Sequence, residues 1–241
     1  MTIIKNHQIE GSYTLKDLTY YNYWIVNSLM RLHPLEGKIF EFGSGYGGVT
    51  LALAKINKIS TIYANDISKS SYNFFNNELN KYPKISFISE NINHNHNLLK
   101  SLDYDIAVTS NTLEHVENDG YILNQITENS KKKISLVLVP AFNFLYGTCD
   151  YDGGHLRRYT KKTFRDMCCE YKLIVEKIEY INMIGAFAWW LKYVMLKQTD
   201  YTSKTHQNSF NLFDRILPLY SKLEQNLFCP FGLSLIAKVK K

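Results

Sequence analysis

Four glycines in KIFEFGSGYGGVTLALA (Gly43, Gly45, Gly47 and Gly48) stand between an apolar run ending at Phe42 and a helix-like pattern. Glycine permits sharp turns and a close approach of backbone to a ligand. The helix that follows offers free N–H groups and the positive end of its dipole. Asp66, in YANDIS, closes a second apolar run, where a carboxylate can take both hydroxyls of a ribose. Loop, helix start and acid together describe a crevice for an adenosine-type cofactor. The competing reading of any single feature is a ligand-free turn, with Asp66 as a helix cap.

Two glycine patterns fit the same loop. Positions 43, 45 and 48 give G-x-G-x-x-G, the dinucleotide pattern, and positions 41, 43, 45 and 47 give E-x-G-x-G-x-G. The carboxylate of Glu41 suits a cationic ligand better than a pyrophosphate. S-adenosylmethionine carries a sulfonium and an ammonium, whereas a nicotinamide dinucleotide presents two phosphates.

Two further groups could do chemistry. LEHVEND holds Glu114, His115, Glu117 and Asp119. His115 is a candidate general base, because imidazole titrates closest to neutral pH; the alternative is that it only orders its loop. Glu114 and His115 are adjacent and would point apart on a helix, and no further ligand is evident, so no metal site is expected. The second group is LYGTCDYDGGHLRRYTKKTFR, with Asp150, Asp152, His155, Arg157, Arg158 and Tyr159. Arginine forks hold carboxylates and phosphates. The five basic residues within 153–165 account for most of the net charge of +6, which falls to +1 without them. Asp150 or Asp152 could equally pair with Arg157 or Arg158 and fix the loop from within.

The elements that position these residues alternate. Strands are expected at Lys38–Phe42, Ile59–Ala64, Ile85–Ser89, Tyr104–Ser110 and Ile134–Pro140. Helical patterns fall at residues 14–31 and 68–81, and Val49, Ala52, Leu53 and Ile56 mark one helix face. This alternation predicts a parallel sheet covered on both faces. Residues 141–160 read as a loop and 161–171 as a helix, followed by a strand at Leu173–Tyr180. Apolar helical patterns at 183–197 and 209–226 and a last strand at Phe231–Val239 complete the chain. Phe187, Trp190, Leu191 and Val194 form an apolar stripe at helical spacing, expected as core or dimer surface. Adjacent tryptophans beside Lys192 and Lys197 leave peripheral membrane contact open.

At 241 residues, with 45% hydrophobic and 21% charged, the chain can bury a core without disulfides or metal. Cys149, Cys168, Cys169 and Cys229 match no disulfide framework and no CxxC pair, so reduced thiols are expected. No signal-like or membrane-spanning run is evident, and a cytoplasmic protein is expected. The basic residues form no long track interleaved with aromatics, so nucleic acid is not the expected partner.

The motifs in register resemble those of class I S-adenosylmethionine-dependent methyltransferases: Glu41–Gly47, Asp66 and YDIAVTSNTLEHVEND. That resemblance implies a Rossmann-like, doubly wound α/β fold with a seven-stranded sheet and a C-terminal helical cover. One domain over 1–241 is implied, with an N-terminal helical segment (1–35), a cofactor core (36–140) and a substrate side (141–241). It implies S-adenosyl-L-methionine as cofactor, with Asp66 on the ribose. Asn91 would stand where the family places an adenine-binding acid, with Ile67 and Ile92 flanking the ring and Asn111 facing the methionine end. The pattern L-Y-G-x-x-D-x-x-x-G-H-x-R-R-Y, with later LPLYSKLEQ and PFGLSLIA, is similar to a bacterial subgroup that accompanies glycosyltransferases. It implies O-methylation of a small-molecule or lipid-linked glycan, gripped by Asp150, His155, Arg157, Arg158 and Tyr159. N-methylation, RNA modification, a nicotinamide oxidoreductase and a non-catalytic binding module are the alternatives.

Overall fold

A computed structural model describes residues 19–78, 81–92, 96–199, 214–222, 224 and 229–241. Its elements, in chain order, are α1 (Thr19–Leu32), β1 (Gly37–Phe42), α2 (Gly48–Ala54), β2 (Ile59–Asn65), α3 (Lys69–Glu78) and β3 (Ile85–Ile88). Then come α4 (His96–Ser101), β4 (Ile106–Ser110), α5 (Asp119–Glu128), β5 (Ile134–Pro140), α6 (Thr148–Gly153) and α7 (Lys161–Glu170). The chain continues through β6 (Ile174–Ile181), α8 (Met183–Trp189), a π-helical turn (Trp190–Met195) and β7 (Ser234–Lys240). Residues 214–222 are also helical.

All seven strands join one sheet in the order β3-β2-β1-β4-β5-β7-β6. Period-two alternation splits its side chains between two cores. Ile39, Ile106, Leu136 and Ile236 belong to one cluster. Their neighbours Phe40, Ala107, Val137 and Leu235 belong to the other. A strand buried on both faces must be apolar throughout, which is why ISLVLVP lies wholly inside.

The sheet is not purely parallel, which corrects the expectation from alternation. The β1–β2, β1–β4, β2–β3 and β4–β5 pairs are parallel. β7 runs antiparallel to both β5 and β6. Its apolar run reads the same in either direction, so hydrophobic pattern alone could not set its polarity. The loop expected over 141–160 also contains a short helix, α6, and a 3₁₀ turn at Asn143–Leu145.

The helical pattern expected at 14–31 appears as α1; residues 14–18 lie outside the described residues. The same holds for 209–213 of the 209–226 pattern. Asp214 ties the two regions together, accepting from the N–H groups of Tyr20 (3.4 Å) and Tyr21 (2.7 Å) at the start of α1. Glu224 does similar work for α8, accepting from the N–H groups of Asn182 (2.6 Å) and Met183 (3.0 Å). The 187–194 stripe is not core: Phe187 and Leu191 are exposed, and the buried side of this segment carries Gly185, Ala186 and Tyr193. No helix among the described residues is long and apolar enough to cross a membrane. Among the described residues no two of the four cysteines are joined in a disulfide.

Candidate active site

The strand order reverses direction between β1 and β4, and open α/β sheets bind ligands in the crevice beyond their strand ends at such a switch point. The glycine loop leaves β1 there. Gly43, Gly45 and Gly47 all take left-handed backbone, at φ of 76°, 51° and 78°. At Gly43 a β-carbon would fall 2.1 Å from Thr112 Oγ1, so the loop lies directly against the segment after β4. The N–H groups of Gly43 and Ser44 both donate to the Asn65 carbonyl at 2.9 Å.

Glu41 lies beneath this loop, 2% exposed, and accepts from Thr50 Oγ1 at 2.6 Å. Burial pushes its carboxyl up to about 7, against the Thr50 hydrogen bond. Asp66 accepts from the Gly45 N–H (2.8 Å) and the Ser68 N–H (2.9 Å). It thus braces the loop and stands ahead of α3 together. Burial raises its pKa in spite of those bonds. Ile67, immediately after, is exposed, while Ile92 is buried beyond β3. Asn65 Nδ2 donates to the carbonyls of Ile88 and Glu90, both at 2.9 Å, and so holds the turn that leads to Asn91. Ser44 Oγ is buried and without a hydrogen-bond partner among the described residues. An orphaned hydroxyl beside left-handed glycines is what a polar cofactor would satisfy.

Asn111, just past β4, has φ of 50°. Its side chain hydrogen-bonds Tyr21 of α1, whose phenol burial pushes up to about 12. Tyr21 carries no signal in the sequence and was not expected near the site. Thr50, nine residues beyond Glu41, could have been found as the hydroxyl on the helix face above the acid.

Residues 40–133 match the family model described as the methyltransferase domain. This stretch is a methyltransferase domain, and its cofactor is S-adenosylmethionine. No curated protein sequence matches the chain. Among solved structures, the chain is similar to one in the Haloferax volcanii complex between the Trm112 methyltransferase activator and a presumed methyltransferase. That match has 14% identity and a TM-score of 0.62, and covers 98% of this chain and 96% of that one. It is also similar to cyclopropane synthase MmaA2 from Mycobacterium tuberculosis (11% identity, TM-score 0.55, coverage 90% and 82%). A third is geranyl diphosphate C-methyltransferase from Streptomyces coelicolor, solved with Mg2+, geranyl diphosphate and S-adenosyl-L-homocysteine (10%, 0.53, 89% and 78%). At these identities the structures speak for the fold alone.

The residues expected at the acceptor side meet past the ends of β4 and β5. Asp150, fully buried, is their hub: Oδ1 lies 2.6 Å from His155 Nδ1 and 2.9 Å from Arg158 Nε. Its Oδ2 accepts from the Gly147 N–H at 2.9 Å. Burial pushes Asp150 up, but the hydrogen bonds and charges of His155 and Arg158 outweigh it and hold the carboxyl low. Arg158 is 4% exposed, donates to the Ala141 carbonyl at 3.0 Å and lies under Trp189. Arg157 pairs with Asp119 at 2.9 Å, and Tyr159 donates to the same carboxylate at 2.6 Å. The internal pairing therefore holds for both arginines, with Asp119 rather than Asp152 serving Arg157. Arg158 and Tyr159 are enclosed in this network, so the anion grip expected of residues 153–165 is reduced on this face to Arg157, whose side chain is one-third exposed.

His115 sits in a 3₁₀ turn (Leu113–His115) with Nδ1 3.3 Å from the Gly154 carbonyl. A carbonyl only accepts, so Nδ1 carries the proton and Nε2 keeps its lone pair. Burial first, then the nearby His155, lowers its pKa to about 4. The imidazole is neutral at pH 7. Glu114, fully buried, is pushed up to about 7 by burial, against the pull of His155. The expectation that Glu114 and His115 point apart and find no third ligand is corrected. Ligand atoms of Glu114, His115 and His155 all lie within 4.8 Å of one another. The reason is long-range: the Leu156 N–H donates to the Glu114 carbonyl at 2.8 Å and draws the 154–156 loop over the turn.

Proposed function

We propose that the protein transfers a methyl group to an oxygen of a hydroxylated, anionic small molecule, such as a nucleotide-linked or lipid-linked sugar of surface-glycan synthesis. The observation that supports it best is the neutral His115 imidazole, four residues past Asn111 at the end of β4, beside the buried Glu114. When bound, S-adenosylmethionine supplies an electrophilic methyl on a sulfonium.

The chain supplies the rest. Gly43, Gly45 and Gly47 let the backbone approach the cofactor, and Asp66 and Asn65 hold that loop in shape. Asp66 would take the ribose, Asn91 the adenine amino group, with Ile67 and Ile92 along the ring. Glu41 would favour the cationic methionine end, near Asn111. The acceptor hydroxyl would lose its proton to His115 Nε2, and orientation would account for most of the rate. Arg157 would meet an anionic group of the acceptor, while Asp150, His155, Arg158 and Tyr159 shape its pocket from within. Phe144 and Phe187, both exposed on segments that follow β5 and β6, offer apolar faces for a sugar. The 1–241 chain is read as one domain, with 141–241 as its acceptor side.

The direct test is mass spectrometry of surface glycans with and without this protein. Loss of one O-methyl group from a sugar in its absence is expected. Unchanged glycans, together with methyl transfer from labelled cofactor to RNA or to a nitrogen acceptor, would overturn the reading.

A further inference from the structure

We infer that Glu114, His115 and His155 form a binding site for one divalent transition-metal ion. Their ligand atoms lie within 4.8 Å of one another. A metal–ligand bond of roughly 2.1 Å sets ligand atoms about 3.0–3.4 Å apart at octahedral or tetrahedral angles, so the widest pair closes by about 1.5 Å through side-chain rotation. His155 Nε2 and Glu114 Oε1 are already 3.8 Å apart.

Two independent observations point to a ligand. The Glu114 carboxylate is fully buried, and neither oxygen has a hydrogen-bond partner among the described residues. A buried carboxylate in that condition is costly unless a cation meets it. Each imidazole, moreover, has an oxygen behind it. His155 Nδ1 lies 2.6 Å from Asp150 Oδ1, close enough for an ion pair though outside hydrogen-bond geometry, and His115 Nδ1 lies 3.3 Å from the Gly154 carbonyl. In ligating histidines the second ring nitrogen faces a carboxylate or carbonyl in the same manner. The loop is pinned too, since Tyr146 donates its hydroxyl proton to the His155 carbonyl at 2.7 Å.

The donor set selects the ion. Two imidazole nitrogens and one carboxylate suit Zn2+, Mn2+, Fe2+ or Co2+, whereas Ca2+ and Mg2+ favour oxygen donors. Three protein ligands leave positions open for an acceptor oxygen. This role, unlike the site itself, rests on the proposed function. With the ion bound, His115 Nε2 is its ligand and no longer the general base; the ion lowers the pKa of a bound hydroxyl, whose proton then passes to water.

The test uses tag-free, chelator-treated full chain titrated with Co2+, read by visible absorption and calorimetry, with Mn2+ binding followed by electron paramagnetic resonance. One Co2+ per chain is expected, with affinity weakened at least about tenfold by Glu114→Gln and by His155→Gln. S-adenosylmethionine binding and thermal melting report whether each variant is folded, and the less buried His115→Gln serves if either is not. Absence of stoichiometric Co2+ binding by the folded wild type would overturn the site. So would equal affinity in the folded variants. Because metal binding is read without turnover, a failed glycan experiment leaves this result standing on its own.

Discussion

On the cofactor side, the buried acids are satisfied by groups near them in the chain or on the adjacent strand end. Glu41 meets Thr50, and Asp66 meets the N–H groups of Gly45 and Ser68. On the proposed acceptor side, charges other than Glu114 are met by side chains: Asp150 by Arg158 and His155, Asp119 by Arg157 and Tyr159. The first arrangement leaves glycine backbone facing the crevice. The second consumes most of the charge that the sequence displays. A carboxylate met by backbone N–H groups is replaceable at modest cost, whereas breaking a buried ion pair strands a charge in low dielectric. The sharpest way to test the contrast is Asp150→Ala, which leaves Arg158 buried with the Ala141 carbonyl and the Trp189 ring. A loss of about 3–5 kcal/mol in urea unfolding is expected. A loss below about 1 kcal/mol would mean that Arg158 can reach water and that the network is peripheral.

The matching perturbation of the cofactor side is Gly43→Ala. It combines left-handed backbone with a β-carbon set against Thr112. The backbone conformation alone costs roughly 1–2 kcal/mol. A stability loss of about 2 kcal/mol and at least about tenfold weaker S-adenosylmethionine binding by calorimetry are expected. Adding Thr112→Ala relieves the contacts with Oγ1 and Cγ2 but leaves the 2.6 Å contact with the Cβ of residue 112 and the backbone term. The double variant should therefore recover binding in part and never in full.

The same contrast explains what could be read from the chain. The glycine loop, Asp66, β1, β4 and β5 were legible because they depend on local residue types and on apolar runs buried on both faces. The pairing at the acceptor side was not decidable. Asp150 and Asp119 are each plausible partners for an arginine, and only the fold brings Asp119 across 38 residues to Arg157. The direction of β7 and the meeting of Glu114 with His155, 41 residues apart, are equally invisible to periodicity. Tyr21 reaches Asn111 only because Asp214 and the sheet face fix the tilt of α1.

A smaller effect separates the two sides by pH. Glu41 is raised to about 7 in the folded protein from an ordinary carboxyl value near 4.5. Its ionisation is thus opposed by folding. Its contribution to stability is favourable at low pH and is lost as pH rises from about 4.5 through 7. Binding of a cationic cofactor has the opposite sign, because it prefers the carboxylate. Between pH 6 and 8 the wild type should gain up to about tenfold in S-adenosylmethionine affinity. Glu41→Gln should remove that gain, and unfolding curves of the variant should lose the matching slope. An unchanged pH profile in the variant would assign the titration to Glu114, which shares the same range.

The gentlest test lies where the two sides meet. The Tyr21 side chain belongs to neither network, yet its hydroxyl bonds Asn111 between the glycine loop and the Glu114–His115 turn. Tyr21→Phe keeps the ring stacked on Trp24 and deletes one hydrogen bond. A buried bond of this kind is worth about 1 kcal/mol, so a drop of about fivefold in kcat/KM with an almost unchanged Tm is expected. If Tm falls while kcat/KM holds, α1 only packs on the sheet and Asn111 is placed by its own left-handed turn. If kcat/KM falls alone, the N-terminal helix sets the point at which cofactor and acceptor meet.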